Sequence, residues 1–258
     1  MAVTKEILSL AVEMGDALLR NGAEVYRVED TVMHILEAYK IKDYDVYVLS
    51  NGVFASANEE ADDACSIIRH VPLGRTHLAR IAALNQLSRE ICSHECSLDD
   101  AWVRLDECKK IPFSPRWLRV LCCGLGCGCF CHIFGGLIQD TVFSFLIGML
   151  LQLFTDFLDR HKNSKFVINI FGSALVTLLS LLLLSVRLPV QYDKIIIGDI
   201  MPLVPGIALT TSIRDFFNGD YLSGAIHMID ALLTAFCIAV GVGAVISVYR
   251  FSTGGALL

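Results

Sequence analysis

The chain has 258 residues, of which 54% are hydrophobic, with a mean hydropathy of +0.57 and a formal net charge of −6. This composition is too apolar for an ordinary soluble protein, and no strongly basic patch points to a nucleic-acid partner. Residues 1–116 carry 13 Lys+Arg and 19 Asp+Glu, whereas residues 117–258 carry 8 of each. We therefore predict a charged soluble domain at 1–116 and a membrane domain at 117–258.

The soluble part is predicted to be an α+β domain of the order αα-βββ-αα. Apolar residues at helical spacing predict a first helix that ends at Asn21-Gly22, where glycine suits a left-handed stop. Asn51-Gly52 is a strong hairpin signal between two alternating runs. The remaining predicted elements are helices at 23–39, 76–91 and 98–111 and strands at 45–50, 53–57 and 65–71. Acids within residues 5–19 lead us to expect no signal peptide.

Four polar residues of this domain form a candidate motif. Arg27 and Glu29 lie at the start of the second helix, and Asn85 and Arg89 share one face of the helix at 76–91. These side chains are interpreted either as caps and ion pairs on solvated faces or as a cytosolic gate or regulatory site.

Two further chemistries have weaker support in the same domain. A hydrolase would need a nucleophile with a placed base; Ser56 and His77 are present, but no elbow or triad spacing supports them. The run Cys92-Ser-His-Glu-Cys96 with Cys108 contains zinc-ligand types, but its spacing fits no common zinc pattern, so buried thiols are the favoured interpretation.

The membrane part is predicted to contain five transmembrane helices, at residues 117–138, 141–158, 166–186, 195–213 and 223–249. With the soluble domain in the cytosol, eight Lys and Arg residues flank the spans inside and three outside. We therefore expect a cytosolic N-terminus, an external C-terminus and a location in the cell (inner or plasma) membrane.

The first predicted span is rich in cysteine and glycine. Cys123, Cys127 and Cys131 lie four residues apart, hence on one helical face. Small residues at this spacing let helices approach closely in lipid, which makes packing the favoured interpretation. A metal site that includes His132 is the alternative, although thiolates on one straight helix form a poor coordination geometry.

The fourth predicted span carries Pro202, Pro205 and Gly206 at its middle. Proline removes a backbone donor and clashes with the preceding turn, so the helix must kink or break. A broken helix survives in lipid only if its freed backbone groups are buried in protein or line a wet cavity. Because interrupted helices build binding sites in transporters, this segment indicates solute passage.

Ionisable side chains in apolar spans are costly and are candidate functional groups. Asp199 precedes the break, Arg214-Asp215 closes the span, and His227 and Asp230 lie three residues apart on one face of the fifth span. Asp199, Asp230 or His227 could carry a proton, and Arg214 could pair with a substrate carboxylate. Structural pairing of these groups is the alternative.

Several stretches together resemble the threonine/serine exporter (ThrE-type) family. They are Leu-Leu-Arg-Asn-Gly-Ala-Glu-Val-Tyr-Arg-Val-Glu at 18–29, the segment at 71–89, Phe134-Gly-Gly with Asp140, and Pro202-Leu-Val-Pro-Gly206 followed by Ile213-Arg-Asp and Gly219-Asp220. The resemblance covers nearly the whole chain, and the Pro-x-x-Pro-Gly block with its Arg-Asp is the most specific part.

The resemblance implies a function and a partner. Full-length members have about ten spans, so this chain corresponds to a first half and resembles the larger subunit of a split two-component exporter built as inverted repeats. It implies proton-coupled export of small carboxylates, either threonine and serine or dicarboxylates such as succinate. A separate small membrane subunit or a homo-oligomer would then complete the exporter.

The same resemblance implies a transporter, not an enzyme, with no cofactor and no resident metal. The alternative is a membrane-anchored sensor or regulatory protein whose cytosolic domain binds a ligand.

Overall fold

The structure is a computed structural model, and it describes residues 2–58, 64–72, 74, 76–161, 163–186 and 188–253. Lys162 and Arg187, two of the charges used to predict the orientation, lie outside the described residues. The chain packs as two units: unit 1 comprises Met1–Phe113 and Thr210–His227, and unit 2 comprises Ser114–Leu209 and Met228–Leu258.

The N-terminal part of unit 1 has the predicted order αα-βββ-αα. Its elements are α1 (Ala2–Arg20), α2 (Val25–Ala38), β1 (Asp43–Leu49), β2 (Gly52–Asn58), β3 (Ala64–His70), α3 (Leu78–Cys92) and α4 (Leu98–Lys110). The strands form one antiparallel sheet in the order β1-β2-β3. The small three-stranded sheet near the N-terminus is thus confirmed.

Helix α1 is the centre of this unit. It packs against α2, β2, β3, α3 and α4, so it is buried beyond the single face that its apolar spacing predicts, with Leu8 and Val12 fully buried beside Leu10 and Met14. Gly22 follows it with φ +82°, the left-handed stop expected from the sequence.

The β1–β2 hairpin turns one residue earlier than the Asn51-Gly52 signal indicates. Leu49 pairs with Gly52, so Ser50 and Asn51 form the loop. This register buries Val53, Ala55 and Ala57 of β2 on one face. A one-residue slip would turn those side chains outward, so burial fixes the register.

Unit 2 is helical in its described residues. Its elements are α5 (Arg116–Ile133), α6 (Ile138–Arg160), α7 (Lys165–Ser185), α8 (Tyr192–Ile200), the start of α9 (Gly206–Asn218) and most of α10 (Tyr221–Ser252). α5 packs on α6 and α8, and α7 packs on the same two helices.

Small residues bring α5, α6 and α8 close together. A Cβ atom at Gly148 would lie 2.6 Å from Cys127 Sγ, and one at Gly198 would lie 2.7 Å from the Cys131 backbone nitrogen. Cys127 and Cys131 are fully buried. The packing interpretation of this cysteine-rich face is therefore confirmed for these two positions.

Among the described residues, α6, α7 and α10 are each long and apolar enough to cross a membrane, and the bent pair α8–α9 passes with them, which gives up to four spans. The prediction of five spans is not confirmed. The first predicted span, α5, is 18 residues long and includes Arg116, Arg119 and His132, which lower its hydropathy.

Helices α6, α7 and α10 also carry large apolar side chains on their outer faces. Leu150, Phe171 and Phe236 are examples, with 49%, 54% and 66% exposure. Contiguous apolar surfaces of this kind are rare on soluble proteins. Together with the lengths of these helices, they support a membrane protein.

The close approach of α8 to α5 leads to a first prediction. Gly198→Ala would place a methyl group against the Cys131 backbone, which cannot rotate away as a side chain can. We expect a loss of about 1–3 kcal/mol of stability from overpacking, measured as a lower melting temperature in detergent. Gly126→Ala on α5 is the control, since its Cβ would meet no atom within 4 Å. Equal melting temperatures for the two variants would contradict the proposed contact.

Candidate functional site: a broken helix with buried acids

The fourth predicted span is broken, as the sequence predicts. Pro202 lies within the 3-10 turn Met201–Leu203, and Pro205 immediately precedes α9, which begins at Gly206. Val204, the residue before Pro205, is extended with ψ 130°, the conformation that a following proline favours. The helices on the two sides of the break differ in direction by 58°.

Asp199 lies at the end of α8, directly before this break. The side chain is fully buried. Its Oδ1 accepts a hydrogen bond from the Ser144 hydroxyl of α6, whereas its Oδ2 has no hydrogen-bond partner among the described residues. The Cys127 thiol lies 4.0 Å from the backbone oxygen of Asp199.

A carboxylate in this environment is costly when ionised. Burial removes its hydration, and one neutral hydroxyl does not replace it. No ion pair joins Asp199 to a cation within the described part of the chain. The described residues therefore leave an ionised Asp199 poorly compensated.

Two other acids of unit 2 are compensated. The carboxylate of Asp140, fully buried, accepts the backbone N–H of Leu137 at 2.8 Å and that of Gln191 at 3.0 Å. Asp156 pairs with Arg119 at 3.1 Å and Arg116 at 3.5 Å. These acids tie helices together, so Asp199 differs from both.

In unit 1, Asp215 of α9 is also fully buried. Its Oδ2 lies 2.9 Å from His227 Nδ1 at the start of α10, and its Oδ1 has no hydrogen-bond partner among the described residues. Close by, the Ser212 hydroxyl donates to the Gly224 carbonyl at 2.8 Å. Helical spacing in the sequence grouped His227 with Asp230. In the structure the turn between α9 and α10 brings His227 against Asp215 instead.

Asp230 has a separate partner. Its carboxylate accepts a hydrogen bond from Lys165 Nζ at the start of α7, and the pair joins two helices within unit 2. The predicted proton-path residues therefore fall into three groups: Asp199 with Ser144, Asp215 with His227, and Asp230 with Lys165.

Arg214 forms an ion pair with Glu24 within unit 1. Glu24 is the N-cap residue of α2, and its other carboxylate oxygen lies 3.3 Å from Arg27 Nε. Glu24 thus lies between two guanidinium groups: that of Arg214, at the end of the fourth predicted span, and that of Arg27, in the soluble-domain motif. Half of the Arg214 side chain is exposed, so a solute could reach it.

Three of the four residues in the predicted soluble-domain motif line one cleft. Arg27 on α2 faces Asn85 and Arg89 on α3 across a cavity of about 440 Å³ that also contains Tyr26 and His34. Arg89 donates to Gln86 at 2.7 Å, and no described carboxylate forms an ion pair with it. The cleft is polar and open at the surface of unit 1.

Glu29, the fourth motif residue, lies elsewhere. Its carboxylate accepts the backbone N–H of Val48 in β1 at 3.3 Å. Burial raises the pKa of Glu29; the hydrogen bond from Val48 opposes this rise, and the charge of Asp220 adds to it. Its geometry is that of a fold contact between α2 and the sheet.

The structure does not assemble the hydrolase or zinc alternatives. Ser56 lies in the middle of β2, whereas the Nδ1 of His77 caps α3 by accepting the Arg80 N–H. No hydrogen bond connects Ser56 with His77 in the described chain. Nor, among the described residues, do three or more His, Cys, Asp or Glu side chains group in a way that could hold a metal ion.

A multi-span helical chain with a broken helix and a buried acid beside the break has features of membrane transport proteins. Comparison with known sequences identifies the class: over residues 9–249 the chain matches the family described as "Putative threonine/serine exporter" and belongs to it. The resemblance inferred from the motifs is thus confirmed. No solved structure matches the chain.

Curated relatives are distant in sequence but extensive in coverage. Proteins named "Probable succinate transporter subunit YjjP" from Klebsiella aerogenes and Escherichia coli are each 23% identical, covering 92% of this chain and 92% and 93% of their own lengths. A "Threonine/serine exporter" from Corynebacterium glutamicum is 22% identical over 92% of this chain, which spans 50% of that relative.

The Asp215–His227 pair leads to a second prediction. His227→Leu would leave a fully buried carboxylate without its partner, which we expect to cost about 1–3 kcal/mol. Adding Asp215→Asn should recover part of this loss, because the stranded charge is removed. The measurement is a double-mutant cycle on melting in detergent, with His161→Leu at an exposed position as the control. Additive effects of the two substitutions would show that the side chains do not interact.

Proposed function

We propose that the chain is one subunit of a proton-coupled exporter of small carboxylates in the cell (inner or plasma) membrane. The observation that carries the proposal is Asp199, a buried acid with a single hydroxyl partner, placed directly before the broken helix. Family membership supports export. The names of the relatives refer to succinate, threonine and serine, which all contain a carboxylate, and we extend that chemical class to this chain.

In this proposal Asp199 carries the coupling proton. Its free Oδ2 can bind a proton without breaking the Ser144 hydrogen bond to Oδ1. A change of access at the break would wet the carboxyl group and favour release of the proton. Because Asp199 lies beside the break, binding or release of its proton would change the free energy of the conformation at the break. This dependence would couple the proton to a conformational change.

The substrate carboxylate would interact with Arg214 of α9. In the structure Arg214 pairs with Glu24, so a substrate carboxylate would compete with Glu24 for the guanidinium. Asp215, His227 and Asp230 would complete the proposed path as proton-binding or positioning groups.

We also propose that α5 is the fifth span and that residues 117–258 form the membrane domain. The two arginines at its N-terminal end pair with Asp156, which lowers the cost of placing them near lipid. The excess of Lys and Arg around the spans on the side of residues 1–116 supports a cytosolic N-terminus and, with five spans, an external C-terminus.

A partner would complete the exporter. In its most apolar stretch α10 buries only 22% of its residues, against 39% for α7. The chain also covers half of the Corynebacterium exporter, and the name of its Klebsiella relative includes the word subunit. We propose that a separate small membrane subunit, or a second copy of the chain, covers this surface.

Transport through the chain provides the third prediction. In proteoliposomes that contain the complete exporter, Asp199→Asn should abolish net succinate or threonine flux driven by a pH gradient. Exchange of labelled solute without a gradient should persist, because the amide preserves the shape of the site but cannot titrate. The measurement is flux of both solutes as a function of pH.

Asp193→Asn is the matched control on the same helix, since Asp193 is 54% exposed and adjacent to Lys194. We expect its flux to equal that of the unmodified chain. An unchanged pH-driven flux in Asp199→Asn would remove Asp199 from the proton path.

The sensor alternative is supported by the cleft between α2 and α3, which could hold a ligand without any transport. It predicts ligand binding to the intact chain and no flux even with a partner present. Flux that survives Arg27→Gln and Arg89→Gln would favour the exporter over this alternative.

A further inference from the structure

A cleft in unit 1 contains side chains that the exporter proposal does not use. It has a volume of about 810 Å³ and lies between α1, β3, the segment after β3, α3, α4 and Phe113. Its ionisable side chains are four cations and two acids, namely Arg20, Arg69, Arg80, Lys109, Glu13 and Asp16. The volume lies within the range of small-molecule sites.

The positive charge of this cleft is a local exception. Residues 1–116 as a whole carry six more acids than cations, whereas the cleft carries two more cations than acids. Such an excess on converging side chains attracts anions from solution.

The two acids are already engaged by cations. Asp16 accepts two hydrogen bonds from Arg20, at 2.7 and 3.0 Å. Glu13 bridges Lys109 at 2.7 Å and Arg69 at 3.3 Å. Burial acts to raise the pKa of Glu13, but the hydrogen bond from Lys109 and the charges of Lys109 and Arg69 outweigh it and hold this pKa below its usual range.

Arg80 is positioned without a described acid. Its Nε donates to the Ile111 carbonyl at 2.8 Å, and its guanidinium lies 5.7 Å from the centre of the Phe113 ring. These contacts orient the planar group, and none of the described hydrogen bonds uses its two terminal nitrogens. Those nitrogens form the edge that binds carboxylate or phosphate with two hydrogen bonds.

The wall beside Arg80 is also held in place. The His77 ring packs against Phe113 at 4.3 Å between centroids, and its Nδ1 accepts the Arg80 backbone N–H at 3.2 Å. The segments at 18–29 and 71–89, which carry part of the family resemblance, meet at this cleft through Arg20 and Arg80. The site is thus built from two distant parts of the chain.

We propose that this cleft is a binding site for a small soluble polyanion, recognised through its carboxylate or phosphate oxygens by Arg80 together with Arg69 and Lys109. The site is separate from the residues of the proposed transport path, and it does not depend on the exporter proposal. Carboxylate and phosphate compounds share the chemistry that a guanidinium recognises, so the experiment has one arm for each source.

The fourth prediction tests this site in the full-length chain, purified in an uncharged detergent. Isothermal titration calorimetry at low salt, with citrate and inorganic pyrophosphate as probes, should detect binding of at least one of them. Arg80→Gln should weaken that binding about tenfold to a hundredfold, as expected for the loss of charge-assisted hydrogen bonds. Arg80→Lys should restore part of the affinity because the charge remains.

A control separates the cleft from general charge effects. Arg104→Gln removes a cation of α4 that pairs with Glu90 and does not line the cleft, so it should bind as the unmodified chain does. Arg69→Gln is a second cleft variant, which replaces Arg80→Gln in the experiment if that variant does not fold. It should also weaken binding.

Binding of citrate alone would assign the site to carboxylates, and binding of pyrophosphate alone would assign it to phosphates. The proposal is overturned if neither probe binds at millimolar concentration, or if the cleft variants that fold bind as tightly as Arg104→Gln. An unchanged pH-driven flux in Asp199→Asn would contradict the exporter proposal alone and would leave the cleft proposal unaffected.

Discussion

An acid buried among apolar helices must be compensated or protonated, and much of unit 2 is organised by this constraint. Three acids solve the same problem differently. Asp140 accepts two backbone N–H groups, and Asp156 pairs with two arginines. Asp199 accepts a hydrogen bond from the Ser144 hydroxyl, so its carboxylate is the least compensated of the three.

The break in the helix follows from the same need for compensation. Between Pro202 and Pro205 the backbone cannot form the α-helical ladder, and in lipid the freed groups require other partners. Part of this need is met within the break itself, since the Val204 N–H donates to the Met201 carbonyl at 3.2 Å and the Gly206 N–H to the Val204 carbonyl at 2.9 Å. Short local hydrogen bonds therefore replace the α-helical ladder where the two prolines interrupt it.

Sequence reasoning predicted the features that depend on local rules. Two prolines were sufficient to predict the broken span, Asn21-Gly22 to predict the end of α1, and alternation to predict three strands. The sequence did not predict the hairpin register correctly, because burial of Val53 and its neighbours outweighed the turn preference of Asn51-Gly52. Five spans were predicted from apolar runs, but the polar residues of α5 leave that number unconfirmed.

Partner choice across long sequence distances could not be predicted. Helical spacing correctly placed His227 and Asp230 one turn apart, yet each has a different partner. The pairing of Asp199 with Ser144 links residues 55 positions apart, and a serine in an apolar helix gives no signal of its own. Only the packing of α6 against α8 brings this pair together.

Helix α9 links the break in the fourth predicted span to two ion pairs. It begins at the break in unit 2 and ends in unit 1, where Arg214 pairs with Glu24 and Asp215 with His227. A helix is stiff along its axis, so a change of direction at Pro205 must either move these pairs or be resisted by them. The exposed Arg214–Glu24 pair contributes little to stability and can exchange its carboxylate, whereas the buried Asp215–His227 pair resists separation. The exposed pair can therefore exchange its partner while the buried pair holds α9 against α10, so the two contacts of this helix differ in strength and in access to solutes.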